Sequence, residues 1–140
     1  MKKTEITIGE NLTLAVELEG LIENNELLFG GLLREILPIK TKYWLSRLND
    51  KVQSYKSTFN SQREELIKAL GEEKDGAFNI APLSDGEKPN PKYQEFITEL
   101  NSLVDEKIEL EHSEFTIEMF SDLKTGSNYP VFFKFLSDLD

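Results

Sequence analysis

A single histidine, His112, stands among Glu109, Glu111 and Glu114 in the run KIELEHSE. An imidazole beside carboxylates can serve as a general base, provided a partner orients it and a pocket holds a substrate. No cysteine is present to pair with it, and no Gly-x-Ser-x-Gly elbow occurs. The expectation for His112 is a half-exposed strand histidine. The glutamates are dense enough to attract a divalent cation. Strand alternation, however, puts Glu114 on the opposite face from Glu109 and Glu111, and neither EF-hand nor H-E-x-x-H spacing appears. Gly30-Gly31 lacks the P-loop and Rossmann spacings, and Lys124-Thr125 in LKTGS lacks the preceding glycines of a Walker loop. No catalytic residue, metal ligand or cofactor is assigned, and the chain reads as a non-enzyme.

Charge and aromatic content supply the remaining candidates. The net charge is -10, yet Arg34, Lys40, Lys42, Arg47, Lys51 and Lys56 face only Glu35 and Asp50 within one window. That window carries +4 and leaves -14 for the rest of the chain. Lys40, Arg47 and Lys51 are spaced by seven and four, so they share one helical face. Such a stripe could follow phosphates, but the acidic chain makes nucleic acid a poor partner. An acidic protein surface suits it better, such as the 105–118 segment of a neighbour. The C-terminal run YPVFFKFL adds Tyr129, Phe132, Phe133 and Phe135. These either dock on the core or form a partner-binding tail. The candidate partner-binding residues are therefore Lys40, Arg47, Lys51, Tyr129, Phe132, Phe133 and Phe135.

The elements that must position them follow from periodicity. Ile6 and Ile8 alternate in TEITI, which predicts a strand over 4–8. Asn11 can cap a helix over 12–23, although LTLAVEL also partly alternates, so helix and strand both stay open there. ENNE is a break, and LLFGGLLREIL predicts a short, well-buried apolar helix. Pro38 suits the first turn of a long helix. Leu45, Leu48, Val52, Tyr55, Phe59, Gln62, Leu66 and Ala69 then follow an a/d seam that ends at Gly71. The helix should cover 39–70, roughly 48 Å. GEEKDG is a turn, AFNIAPL a strand near 78–81, SDGEKPNP a loop, and Pro91 opens a second helix near 91–107. KIELEH and HSEFTIEMF predict strand over 108–118, with Phe115 and Ile117 inward.

The expected fold is α+β and mainly α. It has a long antiparallel helical hairpin over about 38–107, a small β-sheet and extra N-terminal helices, in one domain over 1–140. The second helix reaches roughly 25 Å and covers only the C-terminal half of the first. Leu45, Leu48 and Val52 then need another cover, from the N-terminal helices or from a second chain, so a homo-oligomer stays open.

The 140 residues suffice for a core, and the charged share of 30% fits elongated helices. With no cysteine, disulfides, a thiolate nucleophile and Cys-ligated zinc are excluded. No apolar run approaches the roughly 18 residues a membrane span needs, and no apolar signal region follows MKK. A soluble protein made in the cytoplasm is expected.

The ordered set LPIKTKYWLSRLNDKV, SYKSTFNSQREELIKALGE and NPKYQEFITELNSLVDEKIELEHSEFTIEMFSDL resembles a family of small tailed-bacteriophage proteins of unknown function. The matching residues are Leu37, Pro38, Lys40 and Tyr43, then Arg63, Leu66, Ile67 and Gly71, then Glu106 to Leu110 with Ser121, Asp122 and Leu123. The resemblance covers about 37–136. It implies a phage origin and a place in the host cytoplasm or the virion. It carries no catalytic residues. The expected function is protein–protein contact with a phage-encoded partner, as a virion accessory component or assembly factor. The alternative is an acidic inhibitor of a host enzyme or defence system that mimics nucleic acid through Glu109, Glu111 and Glu114.

Overall fold

The computed structural model describes residues 2–74, 76–81, 89–120 and 129–136. Asp75 of the expected turn, 84–88 of the expected loop and the 121–125 stretch lie outside the described residues. Contacts group the chain into two compact units, one of 1–56 with 107–140 and one of 57–106.

In the first unit, strand β1 (Lys2–Thr7) turns directly into helix α1 (Ile8–Glu19). Thr7 is extended, its hydroxyl accepts from Glu10 N, and the Glu10 carboxylate accepts from Thr7 N, each at 3.1 Å. This reciprocal capping box fixes the boundary at Thr7 rather than Gly9. Asn11 is therefore not the cap. It lies buried inside α1 and donates to the Val52 carbonyl at 3.0 Å. LTLAVEL is helical, and α1 closes where Gly20 (φ 86°) donates to Val16 O at 2.7 Å.

The apolar helix expected after ENNE does not form. Strands β2 (Leu21–Glu23) and β3 (Glu26–Phe29) make an antiparallel ribbon instead. Asn24 (φ 52°) and Asn25 (φ 64°) both take the left-handed conformation that a tight two-residue hairpin turn demands, and asparagine tolerates it. Only Leu32–Arg34 coils, as a 3-10 turn that buries Leu32 completely. Gly31 (φ 75°) approaches the end of α1 so closely that a Cβ there would lie 2.5 Å from Gly20 N.

Helix α2 (Ile39–Leu70) starts where Pro38 O accepts from Lys42 N at 3.0 Å. Leu45, Leu48 and Val52 are fully buried in one core with Ile6, Leu14, Leu18, Leu110, Phe115 and Phe132. The cover that this part of the seam needs thus comes from its own chain.

Strand β6 (Lys107–His112) pairs antiparallel with β1, from Lys2↔His112 to Thr7↔Lys107. It ends at His112, so the strand expected to 118 is shorter. Phe115 makes only an isolated parallel bridge to Leu136, and Ile117–Phe120 is a 3-10 turn. Phe115 is interior as expected, whereas Ile117 is 46% exposed. Phe115 and Phe120 both belong to the core, and their spacing of five would put them on opposite faces of a strand. The turn brings the Phe120 ring within 6.1 Å of Phe115 and 5.1 Å of Phe132. Helix α4 (Pro130–Phe133) closes this unit.

The second unit holds the end of α2, an antiparallel ribbon of β4 (Glu72–Lys74) with β5 (Ala77–Asn79), and helix α3 (Pro91–Val104). Gly71 stops α2 by donating to Ile67 O at 2.7 Å. Half of the expected GEEKDG turn is thus strand. Asn90 caps α3, accepting from Lys92 N at 3.1 Å and donating to Ala81 O at 2.9 Å, with Pro91 in the first turn. Phe59 and Phe96 are buried here, while the seam positions Gln62 and Ala69 are exposed. Among the described residues the strands therefore form three separate two-stranded ribbons, not one small sheet. The architecture is α+β with one long helix.

Gly31→Ala forces a left-handed φ on a residue with a Cβ and drives that Cβ into backbone. We expect a loss of roughly 2 kcal/mol or more, read from the urea midpoint.

Candidate functional site

Lys40, Arg47 and Lys51 are all exposed on the first half of α2. They do not form one continuous basic surface. The Lys51 ammonium donates to the backbone carbonyl of Glu111 at 2.6 Å. It lies in a groove of about 540 Å³ with Asp50, Tyr55, Glu109 and Glu111, where carboxylates outnumber the cation. Lys40 lines a different cavity of about 280 Å³, beside Trp44, Ser113, Glu114 and Met119. The acidic 105–118 segment, expected to meet the basic stripe of a neighbouring molecule, meets Lys51 within the same chain.

Glu109 and Glu111 lie on the outward face of the β1–β6 ribbon. Glu5 sits directly opposite Glu109 there, a repulsive pairing. Lysines offset it on the diagonals, with Lys3–Glu109 and Lys107–Glu5 each at 3.7 Å. Both pairs are well exposed, so each contributes little to stability. The face is a mixed array, unlike a row of phosphates, and it gives nucleic-acid mimicry no support.

Three of the four C-terminal aromatics are interior, which corrects their reading as a partner-binding tail. Tyr129, Phe132 and Phe135 are at most 2% exposed. Their rings pack with Phe115, Phe120 and His112 at centroid separations such as 5.5 Å for Phe115–Phe132 and 4.9 Å for His112–Phe135. Phe133 alone of the four stays open, at 39%. The burial rests on Glu17, a charged residue 3% exposed on α1. Its carboxylate accepts from the backbone N–H of Val131 at 3.2 Å and of Phe132 at 2.8 Å. Burial pushes the Glu17 carboxyl above its ordinary value, and the two N–H groups oppose that shift. Lys134 forms an ion pair with Glu10 on the same helix, and that contact holds the Glu10 carboxyl below its ordinary value.

His112 is buried, not half-exposed, at 4%. Its Nδ1 lies 2.6 Å from Ser113 O, which can only accept, so Nδ1 carries the proton. Its Nε2 then accepts from the Thr4 hydroxyl at 2.8 Å. The ring stacks on Phe115, with centroids 5.7 Å apart and planes 10° from parallel. Burial pushes the imidazole below its ordinary value; the bond to Ser113 O opposes the shift, and the positive charges of Lys51 and Lys2 add to it. Both ring nitrogens are engaged, which suits a neutral structural histidine.

The surface that sequence reasoning missed is apolar. Leu21, Ile22, Leu27 and Leu28 on the β2–β3 ribbon are 43–57% exposed, and Ile36 just before α2, with Ile39 and Tyr43 in its first turns, reach 70%, 86% and 56%. These seven are the majority of the twelve exposed large apolar side chains among the described residues. Ile22 pairs across the ribbon with Leu27, and a register shift beside Ile22 leaves Leu28 without a cross-strand partner. Two asparagines between LI and ELLF were the available signal. Among the described residues, no group of three metal-ligating side chains comes together, and no helix is long and apolar enough to cross a membrane. Comparison with protein-family models, curated proteins and solved structures finds no match.

Glu17→Ala leaves two buried peptide N–H groups without acceptors. A loss of about 2–4 kcal/mol in urea is expected, together with greater exposure of the C-terminal aromatics to a fluorescent apolar dye. His112 is buried in its neutral form. The stability this adds is full above its unfolded value, near 6.5, and is lost as pH falls through the depressed folded value. Wild-type protein should therefore lose stability more steeply than His112→Phe between about pH 7 and about pH 5. Equal slopes would show that His112 is not the group responsible.

Proposed function

We propose that this chain acts through protein–protein contact, without catalysis, as a virion accessory component or assembly factor of a tailed phage. The observation that carries the reading is the set of seven exposed apolar side chains that fall between Leu21 and Tyr43. Such side chains scattered singly need no explanation, but a concentration of this kind marks an interaction surface. Among the described residues no third strand pairs with the β2–β3 ribbon, and such an edge can accept one. The engagement of both His112 nitrogens supports the non-catalytic part of the reading. The phage setting rests on the likeness of 37–136 to the phage family, with a phage-encoded partner met in the host cytoplasm or the virion. In this reading α2 and α3 are the antiparallel arms of a helical hairpin.

The test is a photo-activated cross-linking residue placed at Leu28, with Glu65 on the exposed part of α2 as the control, during infection. We expect an adduct with a defined phage protein from position 28 and none from 65. The Leu27→Asp/Leu28→Asp variant should keep its helical spectrum and bind that protein at least about tenfold more weakly. Equal labelling from both positions would overturn the reading.

A further inference from the structure

The exposed apolar surface has two parts with opposite charge. No lysine or arginine occurs from Thr4 to Leu33, a stretch that contains Glu5, Glu10, Glu17, Glu19, Glu23 and Glu26. The apolar ribbon residues Leu21, Ile22, Leu27 and Leu28 thus lie among the exposed Glu19, Glu23 and Glu26. At the start of α2 the sign reverses. Ile36, Ile39 and Tyr43 lie among Arg34, Lys40, Lys42 and Arg47. Ile39, Tyr43 and Arg47 follow each other at intervals of four, so they run along one helical face. Leu45, Leu48 and Val52 face the core, so this outer face is a separate surface.

We propose that the partner for each part is the other part on a second copy of this chain. The β2–β3 ribbon of one molecule packs on the Ile36, Ile39 and Tyr43 surface of its twin. Apolar side chains meet in the centre, and Glu23 and Glu26 face Lys40 and Lys42 at the rim. Ribbon against ribbon would bring acidic rims together, and helix against helix would bring basic rims together. Only the crossed pairing joins opposite charges, and one chain carries both halves of it. When each copy offers both surfaces to the other, the contact closes as a twofold dimer. Charge at the rim then sets the choice of partner surface, and the apolar centre supplies most of the affinity.

This inference rests on the same surface as the proposed function, and charge exchange separates the two. Glu23→Lys/Glu26→Lys makes both surfaces net positive, and Lys40→Glu/Lys42→Glu/Arg47→Glu makes both net negative. Glu23, Glu26, Lys40 and Arg47 are exposed and Lys42 is half-buried, and circular dichroism checks that each variant is folded. Light scattering should give a dimer for the wild-type protein. Each variant alone should associate at least tenfold more weakly. An equimolar mixture should recover the dimer, because both of its crossed contacts again join opposite signs. A wild-type monomer at all concentrations up to on the order of 0.5 mM would overturn the inference. So would variants that dimerise as well alone as mixed. A monomer that still cross-links to a phage protein through position 28 would leave the proposed function standing without self-association.

Discussion

A carboxylate sits inside this protein, and two peptide N–H groups meet it there. Burying Glu17 without donors would be costly, since an ionised group loses its water and gains nothing in return. The Val131 and Phe132 N–H groups replace that water. They could not reach α1 unless the C-terminal segment lay against it, so the same contact delivers Tyr129, Phe132 and Phe135 to the core. The aromatic cluster then packs against His112 and sets what the end of β6 must face. An apolar substitute for Glu17 would leave both N–H groups unmet, so the contact cannot be dropped from one side. It specifies one arrangement, because any other leaves the charge unmet.

Polar groups play a similar part along α2. Asn11 donates to the Val52 carbonyl, and Asn49 donates to Glu19 at 2.8 Å while accepting from Gln53 at 3.1 Å. Leu14, Leu18, Leu45 and Leu48 could slide past one another with little change in area buried. Directional bonds beside them do not permit sliding. The apolar seam supplies attraction, and the amides supply register.

Local signals were legible and distant ones were not. Pro38 and Gly71 marked both ends of α2, and Pro91 marked the start of α3, because each acts on its own backbone. The seam was legible at Leu45, Leu48 and Val52, but its exposed continuation at Gln62 and Ala69 depends on what packs nearby. The β2–β3 ribbon was misread because a short apolar run suits a helix or a strand equally, and the left-handed Asn24-Asn25 pair decides between them. The choice between docked and partner-binding aromatics stayed open, and His112 was expected half-exposed, because their cover comes from far along the chain. Glu17 and Val131 are 114 residues apart, and Thr4 and His112 are 108 apart. No window of sequence spans such a contact.

Those separations bear on how the protein is made. Residues 57–106 form a contiguous unit, so all of its internal contacts are available once residue 106 has left the ribosome. The other unit draws on both ends of the chain. During synthesis β1 waits for β6, and α1 waits longer, until the stretch around Val131 emerges. Until then Glu17 faces water, and Leu45, Leu48 and Val52 lack the aromatic layer that completes their core. The contacts of the 57–106 unit are complete before those of residues 2–56, which wait for the stretch around Val131.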